Sequence, residues 1–291
     1  MVSGDTAWSC SGGMTEFNAG VVLGLAGLLS GVLMATLALA LSRAPGWQEL
    51  RSFALIAALA AAYCLSGLVH VVRVPEPVHM TGERLGLAST MLYGFAWVRH
   101  LAIVGGRPLG RLGRGALFLL AGMAVLALIP GVLVVPPMRT FSVGWFGVTY
   151  TLASGTTLAL VCVAFTFAAT LAAAFGRGRR WRDGWHARLP MLGATALVVT
   201  GVSDTLASLE LIPMPQLIEA VSVAVVGAMG VSHARRFVDD ARRLEALSTR
   251  LDRTRTATER VAVIVRQLLD TSRPAEPGST TAFALATVLP E

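Results

Sequence analysis

Runs of about twenty apolar residues separated by short arginine-bearing connections constrain this chain more than any other feature. A helix crossing a bilayer needs roughly 20 mainly apolar residues, and seven such runs are expected here: Phe17–Leu41, Ser52–Val72, Arg84–Val104, Gly115–Val135 with a kink at Pro130, Trp145–Phe175, Leu189–Leu211 and Pro215–Val231. Composition agrees, since 54% of the residues are hydrophobic and only 14% charged, far from a soluble domain. The fold expected is all-α: a polytopic membrane protein, a seven-helix bundle with a long cytoplasmic C-terminal helix. Its divisions are an extracytoplasmic leader (1–16), the membrane domain (17–232), the cytoplasmic helix (233–272) and an irregular tail (273–291).

The formal charge of +7 raises the question of a nucleic-acid partner. The arginines lie in short clusters between apolar runs, the pattern of loops retained on one side of a membrane, so no nucleic acid is expected. Arg43 and Arg51 lie in the first connection, Arg107, Arg111 and Arg114 in the third, and Arg177, Arg179, Arg180, Arg182 and Arg188 in the fifth. Arg235 and Arg236 come after the seventh run. The alternate connections are poorer in positive charge. Positive-inside bias therefore predicts an external N-terminus and a cytoplasmic C-terminus. The chain contains no lysine, which excludes a retinal Schiff base. Cys10, Cys64 and Cys162 have no metal-binding or disulfide spacing.

Ionisable groups within spans are expensive to bury and point to function. Asp204, in "TGVSDTLASLELIP", is the leading candidate for ligand binding. Glu210, Glu219, His70, Arg73, Tyr63 and Tyr93 complete an expected polar pocket at the outer end. A capping or pairing role is the competing reading for Asp204, and simple solvation for Glu210 and Glu219. His79 is placed in an outer loop, His100 at the inner end of the third span, and His186 and His233 in the cytoplasm. Membrane haem requires paired imidazoles at matching depth, and none is expected. Neither metal, cofactor nor catalytic residue is assigned, for the spans carry no HExxH or GxSxG motif.

The stretch "HARRFVDDARRLEALSTRLDRTRTATERVAVIVRQLLD" is of a different kind. Phe237, Leu244, Leu247, Leu251, Val261, Val265 and Leu268 fall on heptad seam positions, with Asp240, Thr254 and Thr258 filling the others. Asp239 with Arg243 and Arg236 with Asp240 stand four residues apart, favouring helix. A helix of about 60 Å is predicted over 233–272, ended by Pro274. A parallel coiled-coil homodimer is the favoured use of the seam; a helix lying on anionic lipid is the alternative.

Seven spans followed by "ARRFVDDARRLEALSTRLD" resemble the membrane sensor regions of bacterial sensor histidine kinases. "RVAVIVRQLLDTSRPAEPG" is similar to the second helix of a kinase dimerisation hairpin. The resemblance implies a sensor module of a bacterial inner membrane that passes a stimulus to a cytoplasmic helix and works with a kinase or response-regulator partner. Neither a phosphoacceptor histidine with its acidic neighbour nor ATP-binding boxes occur in these residues, so the chain itself is not expected to be an autokinase. A small transporter or permease is the alternative, since proline-interrupted spans can line a substrate path.

Overall fold

A computed structural model describes residues 19–272 except 45, 48, 107, 144–145, 177–184 and 213. The expected leader, the tail with its Pro274, and most of the fifth arginine cluster lie outside the described residues. The elements in order are α1 (Ala19–Leu41), α2 (Glu49–Val71), α3 (Glu76–Val104), α4 (Arg111–Leu128), β1 (Val134–Val143), β2 (Val148–Gly155), α5 (Thr157–Phe175), α6 (Trp185–Ser208) and α7 (Ile218–Ser272). Six of the helices, α1 to α6, are long and apolar enough to cross a bilayer. Leu29, Leu33, Phe118, Val125, Val161 and Val199 project outward from them, as side chains facing lipid do.

The seventh expected span is not among these six. The apolar part of α7 carries Glu219 in its first turn and reaches Ser232, His233, Arg235 and Arg236 before a full bilayer length is complete. The chain divides into two compact units, Met1–His233 and Ala234–Glu291, with the boundary inside α7.

The chain is not all-α. Where the fourth and fifth spans were expected to run to Val135 and from Trp145, the structure has an antiparallel hairpin, with Val143 opposite Val148 and Val134 opposite Gly155. Its physical cause is local composition. Val, Thr, Phe and Tyr dominate 138–151 and suit a pleated surface better than a helix. Pro130 does not kink a helix: α4 ends at Leu128, and Gly131 turns the chain with φ +78°. The ladder shifts register between Val135 and Met138, where Pro136 and Pro137 have no N–H to donate. The Thr156 hydroxyl caps α5, accepting from the Ala159 N–H at 3.2 Å, and donates to the Val132 carbonyl at 3.1 Å.

α3 begins earlier than the expected Arg84. Pro75 precedes its first turn and Pro77 sits within it, where a missing N–H costs nothing. His79, assigned to a loop, is therefore a buried residue of α3. α1 lies against α2 through glycines. A methyl group on Gly31 would stand 2.8 Å from both the Ala57 carbonyl oxygen and the Ala61 side chain, and one on Gly27 would strike the Cys64 sulfur. Small residues here permit close backbone approach.

The C-terminal unit is one helical stretch. Its seam residues Leu244, Leu247, Leu251, Val261, Val265 and Leu268 are exposed. Thr254 and Thr258, at the polar seam positions, return their hydroxyls to the Arg250 and Thr254 carbonyls. Arg243 pairs with Asp240 at 3.9 Å, one residue along from the expected Asp239, and Arg255 pairs with Glu259 at 3.0 Å.

Candidate functional site

One end of the N-terminal unit encloses a cavity of about 360 Å³ between α2, α3, α5, α6 and the hairpin. Tyr63, His70, Asp204 and Glu210 line it, together with Glu83, Arg139 and Gln216. Four of the seven expected pocket residues are thus brought together. The other three are not. Arg73 is exposed beyond α2. Tyr93 packs edge-on against Trp97, with ring centroids 6.2 Å apart. Glu219 is buried behind the cavity against Gly67, where an added Cβ would collide with its carboxylate. The helical spacing of α7 turns Glu219 inward, against the competing expectation that it is simply solvated.

Asp204 has a defined local task. Its Oδ1 accepts the N–H of Leu217 at 2.8 Å and its Oδ2 that of Ile218 at 2.9 Å. These amides open α7, where backbone N–H groups have no intrahelical partner, and a carboxylate there also meets the positive end of the helix dipole. The capping reading of Asp204 therefore holds, and the same carboxylate belongs to the cavity wall. Beside it, Tyr150 of β2 stacks on Phe141 at 5.1 Å, and its hydroxyl oxygen accepts the Gln216 N–H at 3.3 Å. Burial, with lesser contributions from Glu219 and Asp204, pushes the Tyr150 phenol up to about 12.

Glu83 was missed because a hydropathy reading starts the third span one residue later. The signal that finds it is the helix-start pattern "PEPVHMTGE", which carries α3 back to Glu76. Glu83 Oε1 accepts the Ala153 N–H of β2 at 3.0 Å and stands 3.6 Å from His70 Nδ1. The His70 ring also meets the backbone of Thr151. β2 is thereby held to α2 and α3 through residues 151 and 153. At 3.6 Å the His70–Glu83 contact is too long for a hydrogen bond, and His70 Nδ1 is buried without a hydrogen-bond partner. Among the described residues no three His, Cys, Asp or Glu side chains form a set able to hold a metal ion.

A second polar cluster lies around the start of α2 and the end of α3. The Ser52 hydroxyl donates to the Glu49 carbonyl at 2.6 Å and lies 2.8 Å from His100 Nδ1. With its proton committed, Ser52 oxygen accepts from Nδ1–H, which leaves His100 Nε2 a bare acceptor, buried and without a hydrogen-bond partner. His233, expected on the cytoplasmic side at the membrane edge, has its ring 5.0 Å from Phe53 and 6.3 Å, edge-on, from His100. The structure thus brings together a histidine pair that the spacing of 133 positions concealed. No protein-family model and no curated protein matches this chain.

Proposed function

We propose that the chain is a membrane sensor module in which occupancy of the cavity is transmitted to α7. A single observation supports this reading: Asp204 lines the cavity and simultaneously fixes the first amides of α7. A ligand or membrane change that draws on this carboxylate alters the anchoring of the helix carrying the exposed seam. The hairpin adds to the argument. Open sheet edges are not tolerated in contact with lipid tails, so β1 and β2 mark a membrane surface, and the cavity beneath them is reached from water.

In this reading the start of α7 is the seventh span, its Glu219 held inside the bundle, with the N-terminus outside and the C-terminus in the cytoplasm of a bacterium. The exposed leucine and valine seam is the contact with a second copy, and a kinase or response regulator receives the output. Two arrangements of similar energy suit such a seam, because the threonines at its centre contribute little apolar area. Of the α7 glycines, Gly227 opens onto empty space whereas Gly230 meets Met34 of α1, which makes Gly227 the compliant point.

Disulfide formation by Leu247→Cys and Leu251→Cys, singly, in native membranes tests the output. Dimers are expected at both positions, with yields that change in Asp204→Ala. The absence of dimers at either position under any condition refutes the coiled-coil output. The transporter reading rests on the same cavity between helices; solute uptake surviving deletion of residues 240–291 would favour it.

A further inference from the structure

The C-terminal unit changes character along its length. In the heptad that puts Phe237, Leu244 and Leu251 on the seam, the positions flanking the seam carry Arg243, Arg250 and Arg255 early in the helix. Such flanks suit a two-stranded coil, which leaves them in water. From residue 257 onward the same flanks carry Ala257 and Ile264 on one side and Ala262 and Leu269 on the other. With Val261, Val265 and Leu268 of the seam, Ile264 and Leu269 make an apolar face about 140° wide, at about 100° per residue. All five side chains are exposed, Ile264 at 54% and Leu269 at 63%.

A second copy in parallel takes the seam, the part that two strands bury. Ile264 of one copy then lies beside Leu269 of the other along an apolar groove. A helix that is apolar at seam and flanks alike is suited to more than one neighbour. This end of α7 therefore calls for a partner that its earlier turns do not need.

The chain carries a segment that matches the groove. Residues 281–289, "TAFALATVL", hold no charge, and Thr281 and Thr287 are the two polar side chains. The run is far too short to cross a bilayer, which takes roughly 20 residues, and it has no basic residue to hold it on anionic headgroups. Its length fits. The face from Val261 to Leu269 rises about 12 Å along the helix, a distance that nine residues cover as a helix and exceed when extended. The connection 273–280 holds Pro274, Pro277 and Gly278, residue types that end helices and turn chains, and its length is an ordinary one between packed segments. Tethering also gives the segment an effective concentration in the millimolar range, which a separate partner lacks.

We propose that residues 281–289 fold back onto α7 and fill the groove at Ile264 and Leu269, covering this end of the C-terminal unit together with the second copy. This deepens the sensor reading and rests on it only for that second copy. The docked segment strengthens the contact between copies beyond Leu251, whereas earlier in the helix Arg250 of one copy faces Arg255 of the other and weakens it.

The test uses the full chain in lipid nanodiscs with Cys10→Ser and one introduced cysteine, read as a rate of maleimide labelling; Cys64 and Cys162 are buried. Ile264→Cys and Leu269→Cys are expected to label at least tenfold more slowly than Val263→Cys, an exposed position on the opposite side of α7. Ending the chain after Ser279, or Leu285→Asp in the full chain, should raise the first two rates at least tenfold and leave Val263→Cys unchanged. Disulfide formation should couple Leu285→Cys to Ile264→Cys and not to Val263→Cys. Equal labelling with and without 280–291 overturns the proposal. Protection that survives truncation but disappears without anionic lipid overturns it in favour of the bilayer. Protection that survives truncation in either lipid, but is lost in discs holding one copy, overturns it in favour of the second copy alone. Crosslinking through Leu247→Cys separates the two readings. Tail-dependent protection without any Leu247→Cys dimer refutes the second copy and spares the fold-back; Leu247→Cys dimers with labelling indifferent to the tail do the reverse.

Discussion

Replacing Asp204 by alanine removes both acceptors that open α7. The Leu217 and Ile218 amides bond to opposite oxygens of one carboxylate at 2.8 and 2.9 Å, and Ile218 is buried, so water replaces these contacts poorly. A buried donor left unsatisfied costs about 1–3 kcal/mol, and loss of a helix cap typically costs about 1 kcal/mol. Because the two bonds share one side chain, their losses are not independent, and about 2–4 kcal/mol is expected for the pair. Asp204→Asn keeps one acceptor oxygen and should lose about half as much. Hydrogen exchange resolved to the amides of Leu217 and Ile218 measures the effect directly. At 1.4 kcal/mol per tenfold, protection of both should fall by about 30- to 700-fold in Asp204→Ala, by less in Asp204→Asn, with α2 amides unchanged. Equal protection in wild type and Asp204→Ala would refute the anchoring, and with it the link from cavity to helix.

Packing and burial set three other outcomes. Ser52→Ala strips the acceptor from His100 Nδ1–H inside a buried cluster and should lower stability by about 1–3 kcal/mol, read as a fall in melting temperature in detergent, whereas Ser52→Thr should retain the contact and most of the stability. Gly31→Ala places its methyl 2.8 Å from the Ala57 carbonyl oxygen; the neighbour is backbone and cannot turn aside, so a net loss of about 1–3 kcal/mol is expected despite alanine's better helix propensity. Burial pushes the Tyr150 phenol up to about 12 in the folded chain, against an ordinary value near 10, so the Tyr150→Phe difference spectrum at 295 nm should show only about a tenth of the full tyrosinate signal at pH 11. Because the folded state holds this proton more tightly, its contribution to stability is complete below pH 10 and is lost as pH rises towards 12; titration near pH 10 would contradict the burial.

The helices were legible because lipid-facing segments must be long and apolar, and α1, α2 and α5 contain almost nothing else. The hairpin was not, because its valines and phenylalanines are apolar in a strand as in a helix and a hydropathy window ignores period; in "MRTFSV" and "VTYTLASG" the alternation of threonine and serine with larger side chains carried the information. Asp204, His70, Tyr63 and Glu210 could be nominated because ionisable and phenolic groups beside apolar runs are conspicuous. Glu83 could not, since the spans were delimited by hydropathy and the proline pair before it was not read as a helix start. The meeting of His100 with His233, and the turn of Glu219 towards Gly67, depend on which helices are neighbours. No periodicity within one helix encodes that.

The attachment of β2 to the helices has a genetic corollary. Alternate residues of a strand direct their backbone groups to the same edge, and it is Thr151 and Ala153, two apart, that meet His70 and Glu83. Removing a single residue between Tyr150 and the turn would offer Leu152 or Ser154 at those places and reverse which side chains face the cavity. Insertions or deletions of two would preserve the phase. Length variation in this hairpin among related chains should therefore come in even steps.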